Sequence, residues 1–239
     1  MTTFSVLRDQ VLGDLAQHAD PAYRELVRSR YNMDVSNFLG VRTSIIHRVA
    51  NRRYEALRPL PVDERLAACD AMLEAGTYEL KIAAFRWAHL CRNDFQANHL
   101  AVLGGWLARY VDDWIDCDDL CIHVLGEFFL RYPELAAETR AWIDSNNRWV
   151  RRGAAVALVL PARRGQQIAL TFDIADLLLR DTDDLVQKAY GWLLKEASKS
   201  HPDEVFHFVM ERRAVMSRTA FRYALEKLPA DLRAQAMQR

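Results

Sequence analysis

The sequence predicts an all-α fold, an α-solenoid of HEAT-like helix pairs curved into a C-shape. Three observations predict it. Apolar residues recur at three- and four-residue spacing along almost the whole chain, only 9 Gly and 7 Pro punctuate its 239 residues, and a local pattern returns every thirty-odd positions. The first marks amphipathic helices. The second leaves little room for many strands and tight turns. The third is how stacked helix pairs bury faces that only their neighbours can cover. One repeat domain over residues 1–239 is expected, with its core over about 20–228 and a short C-terminal tail.

In DPAYRELVRSRY, Asp20 is a helix N-cap and Pro21 occupies the first turn. PVDERLAACDAMLEAG sets Leu66, Cys69, Met72 and Leu73 on one stripe and stops at Gly76. YPELAAETRAWIDSNN and DTDDLVQKAYGWLLKEASKSHP carry acids early and bases or Pro late, as the helix dipole favours. Four further stretches share a pattern: ELKIAAFRWAHL, WVRRGAAVALVL, VQKAYGWLLKEA and MSRTAFRYALEKL. Each has a base followed by small and then bulky apolar residues: Lys81, Arg152, Lys188 and Arg218, at separations of 71, 36 and 30. The first gap holds two repeats. Laying WIDCDDLCIHVLGEFFL into it puts Asp118 in the slot, 37 residues after Lys81 and 34 before Arg152. A carboxylate thus stands where the other repeats present cations, and the equivalent slots are expected along one concave surface.

Lys plus Arg equals Asp plus Glu, 32 each, so bulk charge makes no case for a nucleic-acid partner. The four cysteines form no CxxC pair, the first residues lack a signal-peptide pattern, and the apolar run at 154–160 is too short to span a bilayer. A soluble cytoplasmic monomer with free thiols is expected, with no cofactor and no metal.

Trp114 lies four residues before Asp118, Trp192 four after Lys188, and Trp149 three before Arg152. Such spacings put both members of each pair on one helix face. Indoles, cations and one acid along a groove suit a phosphate backbone with exposed sugars or bases. Plainer readings stay open: tryptophans as core, bases as a solvated face, Asp118 as an ion-pair partner for Arg152. Cys117, Cys121 and His123 offer three scattered ligands without a fourth and read as structural. Asp112, Asp113, Asp116 and Asp119 read as helix-start and solvated charges, with Asp113 or Asp116 taking the slot if the register slips by one turn. Arg163 and Arg164, between Pro161 and Gly165, form a loop cluster open to phosphate or to solvent.

Taken in order, DDWIDCDDLCIHVLGEFFLRYPEL, WIDSNNRWVRRGAAV, LVQKAYGWLLKEASKSHPDEVFHFV and MSRTAFRYALEKL resemble the DNA alkylation repair family, the AlkD-like HEAT-repeat DNA glycosylases. FLGVRTSIIHRVA near the start resembles that family's opening segment, and the blocks W-x3-D, W-x2-R and QKA-x-GW-x2-K-E together are fairly specific. The resemblance implies a monofunctional glycosylase of base excision repair. Its substrate would be double-stranded DNA carrying cationic N3- or N7-alkylated purines, such as 3-methyladenine and 7-methylguanine. It implies Asp118 as the catalytic carboxylate, Trp114 beside it on the deoxyribose, Arg152 as a lesion-side arginine and Trp192 as a second aromatic wall. Lys195 falls where the best-known members carry Arg, which keeps the charge and loses the bidentate fork. Arg152 and Lys195 are expected to act mainly through phosphates, and Lys188, Trp149 and Arg218 to add DNA contacts. Two rivals remain at this stage: a non-catalytic relative that binds bent or branched DNA, and a HEAT-type protein scaffold.

Overall fold

The computed structural model describes residues 3–31 and 34–238, and all regular structure among them is helical. The chain forms two compact units, Met1–Gln96 and Ala97–Arg239.

The first unit holds α1 (Thr3–Ala16), α2 (Pro21–Tyr31), α3 (Thr43–Tyr54), α4 (Val62–Leu73) and α5 (Tyr78–Leu90). α5 packs on α3 and α4, and α1 on both of those. Asp20 Oδ1 caps α2, accepting from Ala22 N and Tyr23 N, both at 3.0 Å. The expected stripe on α4 is buried at Leu66, Cys69, Met72 and Leu73. Lys81 is buried within α5.

Ahead of α3, residues 39–41 are tied to α5 by one buried carboxylate. Glu79 accepts from Leu39 N (3.1 Å), Gly40 N (3.0 Å) and Val41 N (3.1 Å). Gly40 has φ +89°, and a Cβ there would meet Asp20 O at 2.4 Å, so the turn demands glycine. Burial pushes the Glu79 carboxyl above its usual range, although the three amides pull it down. Glu79→Ala is expected to orphan three amide donors and cost on the order of 3 kcal/mol in denaturant unfolding.

The second unit holds α6 (Leu100–Arg109), α7 (Trp114–Leu120), α8 (Gly126–Arg131), α9 (Arg148–Val156), α10 (Val159–Arg163), α11 (Ile168–Leu178), α12 (Asp184–Ala197), α13 (Pro202–Arg212), α14 (Arg218–Leu225) and α15 (Ala230–Met237). α7, α9, α12 and α14 stack in that order, each against the next. α8, α10, α11 and α13 back this row, as expected of helix pairs in a repeat array. Between α7 and α8 the backbone winds into a π turn over Cys121–Leu125. The segment read as an ordinary helix after Tyr132 is instead a 3₁₀ helix, Pro133–Trp142. Thr139 Oγ1 donating to Ala136 O (2.7 Å), three residues back, suits that tighter winding.

Candidate active site

Each helix of the stacked row starts from a side-chain cap. Asp113 accepts from Ile115 N (2.6 Å), Asn147 from Trp149 N (2.9 Å), Asp183 from Leu185 N (2.9 Å) and Ser217 from Ala220 N (3.2 Å). These caps are 34, 36 and 34 residues apart. The fifth residue after each is Asp118, Arg152, Lys188 and Arg222. A common distance from the cap places them at equivalent points of neighbouring helices, and the first three line one cleft. In the last repeat the slot falls on Arg222, one turn beyond Arg218, which opens α14 and lines a different cleft.

The shared cleft has a volume of about 360 Å³ and is lined by Trp114, Asp118, Arg152, Leu185, Lys188, Trp192 and Tyr223. Trp87 and Trp106 are fully buried core, whereas Trp114 is 37 % exposed and Trp192 half-buried. Trp149 does not line the cleft; its ring lies under the Arg148 guanidinium, 5.2 Å from the centroid. Sequence reasoning missed Tyr223, the third aromatic of the wall.

Asp118 and Arg152 form the cleft's charged centre. Arg152 donates to Asp118 Oδ1 from Nη2 (2.7 Å) and Nε (3.1 Å), and from Nη1 to Leu185 O (2.5 Å). Both contacts use one carboxylate oxygen, so Oδ2 makes no hydrogen bond to the described residues. Burial raises the Asp118 carboxyl above its ordinary range. Arg152 pulls it down and the Asp113 charge pushes it up further. Arg152 is only 5 % exposed, and its fork is engaged by Asp118 and Leu185. That geometry departs from the expected phosphate contact: a guanidinium taken out of water needs its charge and donors satisfied internally.

The other cations of the site are also paired. Lys188 Nζ lies 2.5 Å from Asp184 Oδ2. Lys195 Nζ donates to Glu226 Oε2 at 2.8 Å and sits 5.7 Å from the Tyr223 ring centroid. It is mostly covered, so it holds α12 to α14 rather than projecting as the phosphate contact expected. Of the fallback acids, Asp113 serves as a cap and Asp116 is buried off the cleft. Cys117 and Cys121 are buried thiols, and among the described residues no group of three or more His, Cys, Asp or Glu side chains could hold a metal. Arg163 pairs with Glu196 at 2.7 Å, and Arg164 stays exposed.

Tyr223 reaches the cleft because α12 and α14 approach closely at Gly191. A Cβ there would stand 2.8 Å from Ala220 Cα and O and 3.0 Å from Tyr223 Cβ. Those neighbours are backbone and the root of a side chain, so they cannot swing aside. Gly191→Ala, worth about 0.5–1 kcal/mol of helix stability at an open position, is instead expected to destabilise by roughly 1–3 kcal/mol in thermal unfolding.

Fold and cleft together define a class: a helical-repeat protein with one half-buried carboxylate in a cleft walled by aromatic rings. Residues 11–228 match the family described as DNA alkylation repair enzyme. The chain belongs to that family, and its role lies in the repair of alkylated DNA. Among solved structures it is similar to the one described as "Predicted DNA alkylation repair enzyme from Enterococcus faecalis", with a TM-score of 0.75 and 15 % identity over 89 % of this chain and 98 % of that one. That likeness shows a shared helical fold. No curated protein matches the chain. No helix among the described residues is long and apolar enough to cross a membrane.

Proposed function

We propose that the chain hydrolyses the N-glycosidic bond of cationic N3- or N7-alkylated purines in double-stranded DNA, with Asp118 as the catalytic carboxylate. One observation carries this reading above the others. Asp118 is held through Oδ1 alone, in a cleft that Trp114 and Trp192 also line, with Oδ2 left for a substrate.

An alkylated purine carries a positive charge and is a good leaving group. As the bond from C1′ to the base breaks, its electron pair goes to the base and neutralises it, while the sugar gains oxocarbenium character. Asp118 Oδ2 stabilises that cation. A water then adds its oxygen to C1′, and its proton passes to the carboxylate and on to solvent. The raised proton affinity of a partly buried carboxyl makes it a better proton acceptor than an exposed aspartate. Trp114, Trp192 and Tyr223 offer ring faces to positive charge, each such contact being worth on the order of 1–2 kcal/mol when desolvated. Arg152 acts as a positioning residue that fixes the Asp118 rotamer. No lysine is given a nucleophilic role, so the product is an intact abasic strand.

The test is single-turnover release of 7-methylguanine from methylated duplex across pH. The ionised carboxylate is the working form. The rate is therefore expected to fall as pH drops through the Asp118 titration, at a pH above the ordinary aspartate range. A pH-flat rate would contradict an ionised carboxylate at the centre.

A further inference from the structure

Many basic side chains of the second unit are neutralised by the chain's own acids: Arg140 by Asp173, Arg148 by Asp183, Arg151 by Asp181 and Arg212 by Asp176, besides those of the active-site cleft. A protein of zero net charge that binds DNA must take phosphates on cations left unpaired. One such group stands out. A cleft of about 480 Å³ is lined by Arg213, Met216, Arg218, Phe221, Arg222 and Met237, with no carboxylate in its wall. Arg218 and Arg222 are exposed and have no carboxylate partner among the described residues. They lie four apart on α14, where like charges face each other and destabilise a helix. Arg213 is anchored by donating to Gln238 O (2.8 Å), its guanidinium 5.7 Å from the Phe221 ring centroid.

We propose that this cleft is a phosphodiester-binding site that takes the DNA backbone beside the lesion. The inference rests on the glycosylase reading for its partner and on the unpaired guanidiniums for its place. Arg222 and Tyr223 are consecutive on α14 and line one cleft each, so the proposed phosphate site and the active-site cleft share that helix. Convergent guanidiniums bind phosphate oxygens through charge-assisted hydrogen bonds, and a bound phosphate relieves the repulsion between them. The paired cations of the active-site cleft are thereby released from the backbone-binding role, which passes to α14.

The test is fluorescence anisotropy with a labelled, undamaged duplex over a salt series, so that catalysis plays no part. R218Q/R222Q is expected to weaken binding roughly 10- to 100-fold near 0.1 M salt and to flatten the log–log salt slope by about two. R218K/R222K should retain most of the slope. R180Q removes an exposed arginine that lines neither cleft and should leave binding unchanged. If the double variant is unstable, each single Gln variant should flatten the slope by about one. Wild-type binding with a double variant indistinguishable from R180Q overturns the cleft and leaves the glycosylase reading standing. A wild type without salt-dependent DNA binding overturns both.

Discussion

Asp118→Asn is expected to slow single-turnover release of 7-methylguanine by roughly 10²-fold or more, a loss of about 3 kcal/mol of transition-state stabilisation. The substitution keeps the shape and an acceptor oxygen for Arg152, and removes the charge that faces the developing cation. DNA affinity should hold or rise, since a negative charge near phosphates has gone. Arg152 then keeps its hydrogen bond to Leu185 O but loses its counter-ion, so the variant should also melt somewhat earlier. Base release must therefore be measured well below the transition and corrected for spontaneous loss. A variant that releases base at the wild-type rate while Asp116→Asn does not would move the chemistry to the neighbouring acid.

Arg152→Met is expected to give the largest stability loss of any single change in the cleft, about 3 kcal/mol at neutral pH. Methionine fills part of the volume, but Asp118 loses its counter-ion and Leu185 O its donor. The sign with pH follows from Asp118. Its folded carboxyl already titrates above the unfolded value, so the neutral form is favoured in the fold. That contribution is full below the unfolded pKa and is lost as pH rises through the folded one. Without Arg152 the folded value climbs further. The gap between wild type and variant should therefore widen from acid toward neutral pH and narrow again on acidification, as denaturant unfolding at a series of pH values would show. A gap independent of pH would mean that Arg152 stabilises through packing alone.

The row of helices was legible because every repeat must bury its own face, which imprints spacing on the sequence. Asp118, Arg152 and Lys188 could be set in one register from that spacing, with Trp114 and Trp192 beside them. The last repeat slipped by a turn because the register was drawn from bases, and α14 offers two, Arg218 and Arg222, four residues apart. The helix caps carry the sharper signal. Asp113, Asn147, Asp183 and Ser217 are residues that favour that position for a physical reason, and counting five from each brings Tyr223 beside the last slot. Other features are not decided locally. The ion pair of Asp118 with Arg152, 34 positions apart, is one of the readings the spacing leaves open, but nothing in either neighbourhood distinguishes an arginine that faces inward from one that faces a phosphate. Trp149 also has the right spacing, yet its ring is claimed by Arg148. The π turn after α7 and the close approach at Gly191 depend on what packs opposite.

The central claim is tested most directly by incubating the wild-type protein in excess with duplex DNA carrying 7-methylguanine and quantifying released base against a protein-free control. The account predicts release of free 7-methylguanine well above the spontaneous rate, with the abasic strand left uncleaved until alkali is added. Tight binding of the same duplex with base loss at the spontaneous rate would contradict it and would make the chain a DNA-binding member of the family without glycosylase chemistry.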